Sequence, residues 1–205
     1  MATACCSRRL GYNSRMDREQ LLSVVEGSAA LKRAFFAAEA DSVLEAGRRL
    51  AQALSAGHKL LVFGNGGSAA DAQHFAAELV NRFVNDRPAL PAIALTTDTS
   101  VLTSIANDTD YEAIFSRQIE ALGAEGDVAV AISTSGNSPN VLKAAAVARE
   151  KGLTTIGLAG RDGGKLGASV DLCLTVNHPE TARIQEVHGM LIHFFCQIIE
   201  DELFS

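Results

Sequence analysis

The sequence has no tryptophan, no extended basic run, no C-x-x-C pair and no apolar stretch near the roughly 20 residues that span a bilayer. Each gap excludes a class of protein. A nucleic-acid surface needs clustered Lys and Arg to meet the phosphate backbone, and a chain of net charge −6 without such a cluster does not offer one. A membrane partner is excluded in the same way. The four cysteines, Cys5, Cys6, Cys173 and Cys196, lack both C-x-x-C spacing and the even distribution of a disulfide framework, which predicts a reducing, cytoplasmic setting. Residues 1–15 carry Arg8, Arg9 and Arg15 but no apolar core long enough for a secretory signal, and they read as a flexible tail. The 205 residues are 47% hydrophobic, enough to bury one sizeable core, so residues 16–205 are expected to form a single domain.

Short runs rich in Val, Ile and Leu recur near residues 59–63, 91–95, 128–132, 153–158 and 170–176, and alanine-rich segments of helical spacing separate most of them. Strands apolar on both faces imply a parallel sheet covered by helices on each side and joined by right-handed crossovers. The expected fold is therefore an α/β, three-layer αβα sandwich with a five-stranded parallel sheet. Two extra N-terminal helices are predicted ahead of the first strand, over residues 17–29 and 31–56. The last segment, 180–204, carries an apolar stripe too wide for one buried face. Either a second subunit or the N-terminal helices must cover it.

Two small-residue turns follow apolar runs: Gly64-Asn65-Gly66-Gly67-Ser68, and Ser133-Thr134-Ser135-Gly136-Asn137-Ser138. A strand that ends this way and runs into a helix leaves backbone N–H groups pointing out at the helix start, where the helix dipole also favours an anion. Phosphate is the commonest biological ligand for such a place. With Ala69, the first turn matches the G-x-G-x-x-[GA] dinucleotide pattern, but no acid stands about 20 residues on to take a ribose. The first acid at the end of the next strand is Asp98. The second turn offers the hydroxyls of Ser133, Thr134, Ser135 and Ser138, which bind phosphate without a cation. Ser138-Pro139 also reads as an N-cap followed by proline at N1. With the first and third strands adjacent and the second outside, both turns open into one crevice.

His74 and Glu78 stand four apart after the first turn and share a helix face, where they could serve one substrate or one metal; a plain surface contact has the same spacing. In the last segment Gln185, His188 and His193 fall within about two and a half turns. His193 lies inside Met190-Leu191-Ile192-His193-Phe194-Phe195, where a ring nitrogen needs a partner, ordinarily a backbone carbonyl. Gln185 and His193 do not project in one direction by helical phase.

These blocks, in this order, join Asp71-Ala72-Gln73-His74-Phe75-Ala76-Ala77-Glu78, Ile105-Ala106-Asn107-Asp108, Gly160-Arg161-Asp162-Gly163-Gly164-Lys165 and Ala182-Arg183-Ile184-Gln185-Glu186-Val187-His188. From about Arg18 to Leu203 the set closely resembles the sugar isomerase (SIS) domain family, and within it the branch that acts on heptose phosphates. The resemblance implies a flavodoxin-like fold and conversion of sedoheptulose 7-phosphate to D-glycero-D-manno-heptose 7-phosphate through an enediol, for bacterial surface glycans such as the lipopolysaccharide core. It also implies a homotetramer with sites at subunit interfaces. By matching motif it assigns Ser133, Thr134, Ser135 and Ser138 to the phosphate, and Asn65, Gly66, Gly67, Asn107 and Asp108, with Glu78 and Gln185, to the sugar. His74, Glu78, Gln185 and His193 match positions that hold one zinc ion per subunit, and Glu78 and His193 match the acid/base pair. An aldose–ketose isomerase needs a base to take the proton beside the carbonyl and return it to the neighbouring carbon, so Glu78 is the expected base and His193 the acid. Glutamine is an unusual zinc ligand. Ala182 stands where some members carry an aspartate.

Two other readings draw on the same blocks. A non-enzymatic relative that binds the replication initiator DnaA shares Ser68-Ala69-Ala70 and the segments around Gln73 and Arg183, but has no need of both Glu78 and His193. An isomerase or sensor of another phosphosugar shares the phosphate turn, which says nothing of carbon number.

Overall fold

The computed structural model describes residues 15–205, so the tail expected over 1–15 lies outside the described residues except for Arg15. A long helix, α1 (Arg18–Ser55), leads into β1 (Leu60–Gly64), α2 (Gly67–Val80), β2 (Ala92–Ala94), α3 (Thr99–Asp108), α4 (Ser116–Leu122) and β3 (Val128–Ser133). The chain continues through α5 (Pro139–Glu150), β4 (Thr154–Gly160), β5 (Leu172–Val176) and α6 (Thr181–Phe204). The five strands are parallel and lie in the order β2-β1-β3-β4-β5. The order reverses between β1 and β3, so the crevice of this doubly wound sheet opens at the carboxyl ends of those two strands.

Alternation along the strands sorts the layers. Leu60, Val62, Val128 and Val130 pack with α1, α2 and α6, whereas Leu61, Phe63, Ala129 and Ala131 pack with α3, α4 and α5. Every residue of β1 and β3 is buried, which is why both read as unbroken apolar runs.

The two predicted N-terminal helices are one. The 38 residues of α1 span about 57 Å and open on a capping box in which Asp17 Oδ1 accepts from Gln20 N at 2.8 Å and Gln20 Oε1 accepts from Asp17 N at 3.1 Å. Near the expected break, Gly27 has open space around it, and Ser28 donates its hydroxyl sideways to Glu186 of α6 instead of capping a new helix. No proline interrupts the ladder, and packing against α6 stabilises its continuity. That packing also resolves much of the wide α6 stripe. Ile184, Val187, Leu191, Ile192, Phe195 and Ile199 are fully buried within the chain, and Phe36 of α1 meets Phe194 edge-on at 4.9 Å. On the outer side Leu21, Leu22, Val24 and Val25 stay about half exposed.

Candidate active site

β1 ends at Gly64, where a Cβ would stand 2.7 Å from the Ile132 carbonyl oxygen, so the close approach of β1 to β3 below the turns requires glycine. Gly66 caps α2 at φ +57, in the left-handed region. Against Gly67 lies the side chain of Gln185, whose Nε2 would be 2.1 Å from a Cβ at that position. Helix α6 thus reaches the first turn through Gln185.

Ser133 ends β3 in a buried position, with its Oγ 3.0 Å from Ser138 Oγ and 3.5 Å from Ser135 Oγ. Ser138 stands at the N-cap of α5 with Pro139 behind it, but its hydroxyl makes no cap bond and pairs with Ser133 instead. Ser138 is thus the N-cap with proline behind it, as the sequence predicts, while its hydroxyl joins the serine cluster instead of bonding the helix end. Ser135 Oγ accepts from Asn137 N at 3.1 Å. The 160–165 loop backs the turn, its Lys165 N donating to Asn137 Oδ1 at 3.1 Å.

An amide pair joins the two turns. Asn65 Nδ2 donates to Asn140 Oδ1 at 2.8 Å, Asn140 Nδ2 donates back to Asn65 Oδ1 at 2.9 Å, and Tyr111 Oη donates to Asn65 Oδ1 at 3.2 Å. Sequence reasoning missed Asn140 and Tyr111. Tyr111 sends no local signal; Asn140 sends only the weak one of an amide in the first turn of α5. Asn107 and Asp108 close α3 in exposed positions, and Asn107 Nδ2 donates to Asp108 Oδ1 at 2.7 Å. Among the described residues no hydrogen bond ties that pair to either turn.

Farther along α2, His74 Nε2 and Glu78 Oε1 lie 3.1 Å apart. The ring of His193 from α6 stands 5.0 Å from that of His74, and Phe83 stacks on it at 5.7 Å. The structure thus brings together three of the expected site residues. One turn earlier on α2, Asp71 has a buried Oδ2 without a partner; burial raises its pKa and the nearby His74 pulls it the other way. The histidine that meets a carbonyl is His188, not His193, although its buried Nδ1 has no partner among the described residues. His188 is fully buried with Nε2 3.1 Å from the Ala159 oxygen, and burial pushes its pKa down to about 4 against that bond, so its ring is neutral. His193 is exposed.

The four residues matched to zinc do not gather at one point within this chain. Gln185 and His193 stand about 12 Å apart along α6, whereas bonds to zinc are about 2.0–2.2 Å long. Among the described residues, no group of three His, Cys, Asp or Glu side chains is arranged as a metal site. His74, Glu78 and His193 have suitable donors and are neighbours; Gln185 is held elsewhere, at Gly67.

Residues 25–160 match the model of the SIS domain. The phosphoheptose isomerase of Nitratidesulfovibrio vulgaris (strain Hildenborough) is 54% identical over 181 residues, covering 88% of this chain and 86% of that protein. That of Geobacter sulfurreducens is 62% identical over 155 residues, covering 76% and 82%. The solved structure of phosphoheptose isomerase from Neisseria gonorrhoeae superposes with a TM-score of 0.85 at 45% identity, covering 90% of this chain and 98% of that one. The enzyme from Francisella tularensis gives 0.87 at 36% identity, with 91% and 100% covered.

Proposed function

The chain belongs to the SIS domain family and, within it, to the phosphoheptose isomerases, and from that premise we propose that it interconverts sedoheptulose 7-phosphate and D-glycero-D-manno-heptose 7-phosphate for bacterial surface glycans. The observation that carries the reading is the meeting of Glu78, His74 and His193 across α2 and α6. In this mechanism the Glu78 carboxylate takes a proton from C1 of the open-chain ketose. An enediol forms across C1 and C2, and Glu78 returns the proton to C2. His193 donates to the carbonyl oxygen at C2 as the enediol forms, and the deprotonated His193 takes the O1 proton back as C1 becomes the aldehyde. A positioned acid and base of this kind contribute about 10²–10⁴-fold each. The serine cluster and the amides of the second turn hold the phosphate, while Asn65, Gly66, Gly67, Asn107, Asp108 and Gln185 line the sugar.

The full site in this reading spans more than one copy. Glu78 lies about 16 Å along α2 from Gly67, while the seven bonds from phosphorus to C2, at about 1.5 Å each and zigzag, reach under about 10 Å. A homotetramer with sites between subunits meets that span, and the half-exposed Leu21, Leu22, Val24 and Val25 provide apolar surface for its contacts. Zinc would be held by His74, Glu78 and His193, with Gln185 coming from a different copy; when bound, it supplies a Lewis acid for the carbonyl oxygen. We place the protein in the cytoplasm, where the free Cys173 and Cys196 stay reduced. Among the described residues no helix is long and apolar enough to cross a membrane.

Proton exchange tests the reading directly. Sedoheptulose 7-phosphate incubated in D₂O with wild type should gain deuterium beside the carbonyl by NMR, and with Glu78→Gln it should not. No exchange by zinc-loaded wild type would leave a DnaA-binding or sensor role in its place, and faster turnover of a five- or six-carbon ketose phosphate would move the substrate.

A further inference from the structure

Beyond the acid/base cluster, at the far end of α2, the fold buries an ion pair that the reaction does not touch. Glu200 of α6 and Arg87 of the loop after α2 have side chains 0% and 1% exposed, with Arg87 Nε 2.9 Å from Glu200 Oε1. The carboxylate also accepts from the backbone amides of Phe83 at 3.1 Å, Val84 at 3.2 Å and Asn85 at 2.9 Å. Burial opposes its ionisation, but the amide and Arg87 bonds outweigh burial and hold its pKa below the ordinary value. The other face of the guanidinium is spent on helix α2: Nη2 donates to the carbonyl of Glu78 itself at 2.9 Å, and Nη1 donates to that of Leu79 at 2.9 Å.

Three consequences meet at the acid/base pair. Helix α2 has no basic residue in its own last turn, so Arg87 supplies the cation its dipole favours and a partner for the Glu78 carbonyl, while the Leu79 carbonyl also accepts from Leu90 N at 3.0 Å. Glu200 stands seven residues beyond His193 and so projects from nearly the same face of α6. Phe83, whose amide Glu200 fixes, stacks its ring on His193. One buried salt bridge therefore sets the peptide of the base, the neighbour of the acid, and the spacing of the two helices that carry them. Burying such a pair gains little stability over an apolar one of the same volume.

We propose that Arg87 and Glu200 are positioning residues that hold Glu78 against His193 for proton transfer. This rests on the isomerase reading above, and its test separates the two. In Arg87→Lys the charge opposite Glu200 stays while the fork to the Glu78 and Leu79 carbonyls is lost. In the double variant Arg87→Met/Glu200→Leu no unpaired charge is buried, which guards against a variant that fails to fold. For whichever variant keeps the wild-type circular dichroism spectrum, kcat is expected to fall about 10- to 100-fold with KM for sedoheptulose 7-phosphate within twofold, and the imidazole NMR resonances of His193 to shift. Unchanged kcat, or a fall in kcat with the His193 resonances unmoved, overturns the proposal. If wild type turns over no heptulose phosphate, the isomerase reading fails and the His193 resonances alone decide: a shift upholds the positioning role, and none overturns it.

Discussion

The two ends of the parallel sheet treat their polar groups in opposite ways. At the amino end, Asp127 ahead of β3 accepts from Lys59 Nζ at 2.6 Å, Lys59 N at 3.0 Å and Ala124 N at 2.9 Å, and Asp171 ahead of β5 accepts from Thr155 N and Oγ1 at 2.8 Å. Those bonds stitch β1 to β3 and β4 to β5. At the carboxyl end, Ser133, Ser135 and Ser138 bond mainly one another, and Glu78, farther along the helix that starts there, likewise shares one contact with His74. Groups saturated by fixed donors hold the fold; groups that lean on each other are the ones a ligand can recruit. A parallel sheet permits this division because all its strands end on one side, where the loops are free to carry chemistry.

The largest break in that comparison comes from Glu78→Gln. With its carboxylate 26% exposed and its partner a histidine, removal of its charge is expected to cut kcat about 10³-fold, within the range for general base catalysis, while the melting temperature stays within experimental scatter. A loss of thermal stability with kcat intact would make Glu78 a structural group. Next in size, Ser138→Ala removes a hydroxyl that makes no cap bond. A hydrogen bond to a charged phosphate is worth about 1.5–3 kcal/mol, so kcat/KM should drop roughly 10- to 100-fold with little change in melting temperature. If the hydroxyl capped α5 instead, stability would fall by about 1 kcal/mol and kcat/KM would hold.

At the amino end the pattern reverses. Burial opposes the charge on Asp127, but bonds from the Lys59 side chain and from the Lys59 and Ala124 amides outweigh it and hold its pKa below the ordinary 3.8. Asp127→Asn should cost about 2 kcal/mol of stability, in the range of hydrogen bonds to charged groups, and leave kcat unchanged at temperatures where the variant is folded. The sign of the pH dependence follows from the depressed pKa: the stabilisation is complete above the unfolded value and is lost as pH falls through the folded one. Urea midpoints of wild type and variant should therefore converge below pH 3.8, and a constant gap down to pH 2 would remove the charge from the account.

What the chain discloses before it folds follows the range of each interaction. The five strands and both turns were legible because apolar runs and small polar residues act within a few positions. The phase argument that parted Gln185 from His193 was sound for the same reason, and in the structure Gln185 lies on Gly67 while His193 lies by His74. The unity of α1 was not legible, because Ser28 is settled by Glu186, 158 residues away. Nor were the tie between Asn65 and Asn140, across 75 residues, or the bond from Arg87 to Glu200, across 113. Such contacts are products of topology, and no spacing rule encodes them.

Asp98 gives the smallest effect and the sharpest test, because its place and its bonding point to different roles. It follows β2 at the open end of the sheet, where a carboxylate invites assignment to the sugar. Yet its Oδ1 accepts from Val101 N at 2.9 Å and caps α3, the helix that ends in Asn107 and Asp108. If saturation rather than location decides, Asp98 is structural. Asp98→Asn, an equally good cap, should then leave both stability and kcat/KM unchanged, and Asp98→Ala should cost about 1 kcal/mol of stability with kcat/KM within twofold of wild type. A fall in kcat/KM for Asp98→Asn at full stability would show that a capped carboxylate still serves the substrate, and the division between the two ends would then have to be drawn by distance to the ligand instead of by hydrogen-bond saturation.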